Sequence, residues 1–216
     1  SLGLLGAPAG VLLRDLGPTP SQAAEADYPG AGLEKTVWTP GMRVVRDVVG
    51  TPIVLNLTDD NADGLTDRND IPDIAFLSYN RSGDGCCNVP ATLRVVSGMC
   101  NPDGTMNTLA SIDTPELTND TGIAGADLDG DGVPELVAVG RSGGHPQGTV
   151  TFRRTADDGS AWEALWHNET YPTWGVHTRG GPTISIANLD TVGAPEVIIG
   201  NVVLRGDTGE LWWDGV

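Results

Sequence analysis

Three stretches of this chain repeat one pattern at a nearly fixed interval: an apolar strand, an acidic loop, a Pro followed by an acid, and a second apolar strand. They are TPIVLNLTDDNADGLTDRNDIPDIAFLSYN from Thr51, TGIAGADLDGDGVPELVAVG from Thr121 and PTISIANLDTVGAPEVIIGN from Pro182. Pro72, Pro134 and Pro195 mark the register, with spacings of 134 − 72 = 62 and 195 − 134 = 61 residues. A fixed period of strand pairs confines a chain to repeat architectures, in which each unit buries its apolar face against the next.

The rest of each repeat supplies two more strands. ELVAVG is followed by GTVTFRRTAD, a turn at Asp157–Gly159 and AWEALWHN; EVIIG is followed by NVVLRG, a turn at Asp207–Gly209 and ELWWDG. DIAFLSYN is followed by a cysteine-bearing loop, ATLRVVSG and a turn at Asp103–Gly104. Alternating apolar residues between Asp/Gly turns describe antiparallel meanders. With 30 Gly, 15 Pro and no sustained 3.6-residue periodicity, the chain reads as all-β. The expected architecture is a β-propeller with four-stranded blades at about 50–110, 120–170 and 181–216. Residues 1–35 form an apolar leader and a Pro/Gly/Ala-rich linker, and residues 36–216 the repeats, with LEKTVWTP as a further outer strand. Trp38, Trp166 and Trp212 recur in the last strand and are expected to pack between blades. Three blades do not close a ring of four to eight, so the expectation is a partial propeller, completed by the rest of a longer polypeptide or by other chains. The leader packs on its own repeats or inserts into a neighbour.

The acidic loops ask for cations. In DLDGDGVPE, Asp127, Asp129 and Asp131 alternate, Val133 offers a carbonyl and Glu135 closes the shell, with Gly132 at the turn. Oxygen donors in this number suit Ca2+, whereas Zn2+ prefers His or Cys. The third repeat keeps Asn188, Asp190 and Glu196 but has Val192 in place of a carboxylate, which predicts a weakened site. The first repeat is expanded: Asp59, Asn61, Asp63, Leu65, Asp67 and Asp70 fall at positions 1, 3, 5, 7, 9 and 12 of an EF-hand-like loop. Aligned instead by its Pro, the same repeat gives the closing role to Asp73. Both acids stay open for that role. Two to three structural calcium ions are expected, each holding a negatively charged hairpin tip closed.

The acidic loop between two apolar strands, at a period near sixty, resembles the FG-GAP (VCBS-type) repeat of integrin α-subunit propellers and many secreted bacterial proteins. The resemblance covers roughly residues 36–216 and is most specific in the second repeat. It implies a propeller, usually of seven blades, with calcium between the first two strands of a blade. It carries over to Asp127, Asp129, Asp131 and Glu135, and less closely to Asn188, Asp190 and Glu196; the insertion at 59–70 departs from it.

A net charge of −17 argues against a nucleic-acid partner, and no stretch is long and apolar enough to span a membrane. Cys86, Cys87 and Cys100 share one window, and a bridge from Cys86 or Cys87 to Cys100 fits an oxidising compartment. Asn56, Asn80, Asn119 and Asn168 lie in glycosylation sequons. His145, His167 and His177 are scattered, and no nucleophile elbow or phosphate loop occurs. Arg153, Arg154 and Arg179 are the residues a polysaccharide lyase-like groove would draw on, and Arg205–Asp207 spells RGD within a turn. The sequence therefore describes an extracellular or cell-surface module for adhesion or assembly, non-catalytic, whose partners are other protein chains or a surface glycan. A carbohydrate-active enzyme or a subunit of an extracellular fibre is the alternative.

Overall fold

The computed structural model describes residue 48 and residues 50–80, 89–172 and 182–215. Twelve strands follow in order: β1 (Ile53–Leu55), β2 (Asp73–Tyr79), β3 (Pro90–Cys100), β4 (Met106–Thr118), β5 (Ala124–Ala126), β6 (Glu135–Ser142), β7 (His145–Arg154), β8 (Trp162–Asn168), β9 (Ile184–Ala187), β10 (Glu196–Ile199), β11 (Val202–Leu204) and β12 (Leu211–Asp214). The described residues contain no helix, and hence none that could cross a membrane. All strand pairs are antiparallel, and the strands close into no barrel among the described residues.

Each repeat forms a four-stranded meander in sequence order: β1 to β4, β5 to β8, and β9 to β12. One bridge, Leu117 to Gly140, joins the first meander to the second. The Asp/Gly turns fall where the sequence puts them, with Gly104, Gly159 and Gly209 at positive φ.

Strand β6 shows how the meanders stack. Its residues alternate between two cores, Leu136 and Ala138 joining one while Val137 and Val139 join the other. The first core holds Leu77, Leu93, Leu117, Val150 and Phe152; the second holds Trp166, Ile184, Val197, Ile199 and Leu204. A strand apolar on both faces has to lie between two layers, and ELVAV is such a strand. The turn of each following meander presses on the last strand of the one before. A Cβ at Gly159 would meet Leu109, and one at Gly209 would lie 2.4 Å from the Trp166 ring. Trp166 fills the interlayer core and donates from Nε1 to the Gly206 carbonyl at 2.7 Å. Trp212 differs, being 38% exposed with Arg205 stacked over it at 4.4 Å. Trp38, the leader, Cys86, Cys87, His177 and Arg179 lie outside the described residues; Cys100 is an exposed thiol, free among them.

Candidate metal centre

The three acidic loops start from one register. Leu55, Ala126 and Ala187 pair with Asp73, Glu135 and Glu196, so each second strand opens with a buried acid. Each acid accepts the amide two residues beyond its partner: Leu57 N to Asp73 Oδ2 at 3.2 Å, Leu128 N to Glu135 Oε2 at 2.6 Å, and Leu189 N to Glu196 Oε2 at 2.8 Å. Asp73 is thus the register counterpart of Glu135.

In the second loop, Asp127 accepts from the amides of Gly130 and Gly132, Asp129 from that of Asp131, and Asp131 from that of Val133. These bonds turn the carboxylates towards one another. Ligand oxygens of Asp127, Asp129 and Glu135 all lie within 4.8 Å of each other, and Glu135 is 1% exposed. Burial, reinforced by the charges of Asp129, Asp131 and Asp127 and opposed by the Leu128 amide, pushes the Glu135 carboxyl up to about 7. Every donor is oxygen, so a hard cation of the calcium type fits this set. Asp131 is exposed at the tip, outside the converging trio. Arg153 approaches Asp129 only to 3.8 Å and is bound to Glu163 at 2.6 Å.

The third loop contains its own cation. Arg205 Nη1 donates to Asp190 Oδ2 at 3.0 Å and to Glu196 Oε1 at 2.9 Å. The Arg205 bond holds the Asp190 carboxyl below its usual range, helped by the Val192 amide. Asn188 turns its amide to the Gly193 carbonyl at 3.0 Å. Sequence reasoning expected a weakened metal site here and overlooked Arg205. The same contacts hold the arginine of the RGD triplet against the molecule's own acids.

In the first loop, Asp59 accepts from the amides of Asp63 and Gly64, Asn61 from Asp63, Asp63 from Leu65, and Asp67 from Asn69. Buried Asp70 accepts from Asp60, Asn61 and Asp67 amides. The bonds of Asp59, Asn61 and Asp63 repeat those of Asp127, Asp129 and Asp131 in the second loop. Asp73 is fully buried; that burial raises its pKa, opposed by Thr58 and the Leu57 amide and reinforced by Asp60.

The other candidate residues are occupied structurally. Arg154 donates to the Asp157 carbonyl and to Thr66, so the two described arginines of a lyase-like groove serve local contacts. Asn119 is 0% exposed and accepts the Val89 amide, and Asn168 holds the Gly209 carbonyl, leaving neither sequon presented for glycosylation.

No family model matches the chain, and no curated protein matches it. Among solved structures, a crystal structure of the V. cholerae biofilm matrix protein Bap1 is similar in fold, with a TM-score of 0.50 and 20% sequence identity. The likeness covers 82% of this chain and 32% of that one, so the chain spans about a third of that protein's length.

Proposed function

We propose that the chain is a calcium-stabilised segment of a β-propeller of the FG-GAP type, which serves extracellular adhesion or assembly without catalysis. One observation carries the reading: Asp127, Asp129 and buried Glu135 converge at the tip of a hairpin that opens a four-stranded meander. Three such meanders stacked face to face support the propeller, each standing for one blade. Leu211, Trp212 and Trp213 on β12 are 40%, 38% and 56% exposed, which supports a protein partner: a further blade or another copy of the chain. The similar structure belongs to a biofilm matrix protein, in keeping with an extracellular structural role.

Calcium binding to the folded state alone stabilises it by mass action, about 4 kcal/mol for one site at a thousand times its Kd. The test is thermal unfolding and native mass in calcium and in chelator. Calcium should raise the melting temperature and hold any oligomer together. Identical melting under both conditions would overturn the reading.

A further inference from the structure

We propose that two copies of this chain join head to tail, the outer face of the third meander of one against the outer face of the first meander of the other, into a ring of six meanders. The inference rests on the propeller reading and names the partner which that reading leaves open. Its support is the register between strands.

Each meander carries a row of paired residues that begins two places after its opening acid. The row is Ala75, Val95 and Ala110 in the first, Val137, Thr151 and Trp166 in the second, and Ile198, Val203 and Trp213 in the third. Residues directly opposite across strands share one face of the sheet. The first row lies in a core with Leu136, Ala138, Val150 and Phe152 of the second meander. Val137 and Trp166 lie in a core with Val197, Ile199 and Leu204 of the third. This face of a meander therefore packs against the meander that follows it. In the third meander the row joins neither core, and Trp213 is 56% exposed where Trp166 is 9%. Trp213, and not Trp212, is thus the counterpart of Trp166.

The opposite face receives the meander before. Leu136 and Ala138 in the second meander and Val197 and Ile199 in the third lie on it, all 0% exposed. Counted from the opening acid in the same way, the first meander places Ile74 and Phe76 there, with Val54 paired to Ile74. None of these three joins a core; Ile74 and Phe76 are half-buried, and Val54 is 60% exposed.

The turns repeat the asymmetry. A Cβ on Gly159 would meet Thr58 and Leu109 of the preceding meander and one on Gly209 would meet Trp166, whereas one on Gly104 has nothing within 4 Å. Gly98 stands where Gly206 does, each with its Cβ position 2.0 Å from the carbonyl of its repeat's Pro, and the Gly206 carbonyl is the one that Trp166 binds. The β3–β4 hairpin of a second copy thus offers Trp213 the kind of seat that the β11–β12 hairpin gives Trp166. The two exposed faces are the two halves of an interface already used twice inside the chain, and a second copy supplies each with its complement. Head-to-tail contacts of this kind either close a ring or run on as a filament. Three meanders and three more make six, within the four to eight blades at which propellers close.

The experiment measures the mass of the full-length chain by sedimentation across a concentration range, in calcium and in chelator. Wild type in calcium should have twice the mass of one chain and form no larger species. Trp213→Ala and Val54→Asp, both at exposed side chains, should each raise the dimer's dissociation constant about 30-fold or more, as loss of a central aromatic anchor or burial of an unpaired charge does. Trp212→Ala should leave it unchanged. Mixing the two weakened variants should recover dimer, because one of the two contacts then joins an intact third meander to an intact first; chains that had merely misfolded would stay apart. A wild-type monomer, an open polymer, a dimer indifferent to both substitutions or a mixture that stays monomeric would overturn the pairing. A monomer that melts higher in calcium than in chelator would leave the calcium-stabilised segment standing, and a dimer whose melting ignores calcium would do the reverse.

Discussion

Glu135 and Glu196 stand at the same place in successive repeats. Each opens a strand opposite an alanine, each is buried, and each accepts the amide of the leucine seven residues before it. Their surroundings then diverge. Glu135 is buried beside three acids, and burial first, then their charge, drives its carboxyl up to about 7. Around Glu196 a guanidinium bridges to Asp190 and stacks on Trp212. In the third repeat the chain supplies positive charge at the hairpin tip itself; on the proposed reading, the second repeat takes it from solution. The first loop has the register of both, with an insertion that neither has.

The largest effect that could break this comparison is in pH dependence. A carboxyl at about 7 in the fold and about 4.5 in the unfolded chain makes the native state bind more protons between those values. In chelator, its contribution is therefore fully present below about pH 4.5 and is lost as pH rises through about 7. At 1.36 kcal/mol per pH unit the span reaches about 3 kcal/mol. Urea unfolding at several pH values, compared between wild type and Glu135→Gln, isolates this contribution. Wild type should lose up to that amount between pH 4.5 and 7, relative to the variant, and calcium should abolish the difference. Parallel pH profiles in chelator would show that burial and the neighbouring acids do not hold Glu135 neutral.

Arg205→Met tests the other side. It keeps an apolar stem for Trp212 but leaves the buried Glu196 oxygen without its donor, a loss of roughly 1–3 kcal/mol. Unlike the calcium effect at Glu135, this loss should appear equally in calcium and in chelator, measured by urea unfolding. Combining it with Val192→Asp restores all the acids of the second loop but the first, where Asn188 stands for Asp127, and the double variant should gain a calcium-dependent rise in melting temperature. If Arg205→Met melts like wild type, the guanidinium contacts do not hold the loop.

Much of this was legible in the sequence. The period of 62 and 61 residues, the Asp/Gly turns and the two-faced ELVAV strand locate the meanders, because a period-2 apolar pattern and positive-φ glycines are local signals. The converging acids at 127–135 were equally plain, since their spacing builds the turn that gathers them. Arg205 was not, because its meeting with Glu196 depends on the β10–β11 register, one step beyond the Val197–Leu204 pair. The first loop was ambiguous for a related reason. Adjacent Asp59 and Asp60 allow two alternating frames, and a one-residue shift exchanges every side chain between faces. The EF-hand spacing favours the frame of Asp59, and so do the loop's amide bonds, which match those of Asp127, whereas counting on from the β1–β2 pairs favours the frame of Asp60. Local spacing cannot reveal which frame the strands impose.

The smallest predicted effect asks whether the second and third loops share a backbone beneath their different charges. Gly132 and Gly193 sit at matching positions, 61 residues apart, with φ of 91° and 69°. Nothing lies within 4 Å of a Cβ built on either, so alanine there meets strain and no clash. The left-handed region costs an L-residue roughly 1–2 kcal/mol, whatever cation stands nearby. Gly132→Ala and Gly193→Ala should therefore lose similar stability in chelator, as measured by urea unfolding. Calcium should then separate them: Gly132→Ala alone also loses part of its calcium-dependent gain, because its amide is one of those that orient Asp127. Unequal losses in chelator would mean that Arg205 shapes the backbone of the third loop as well as neutralising it.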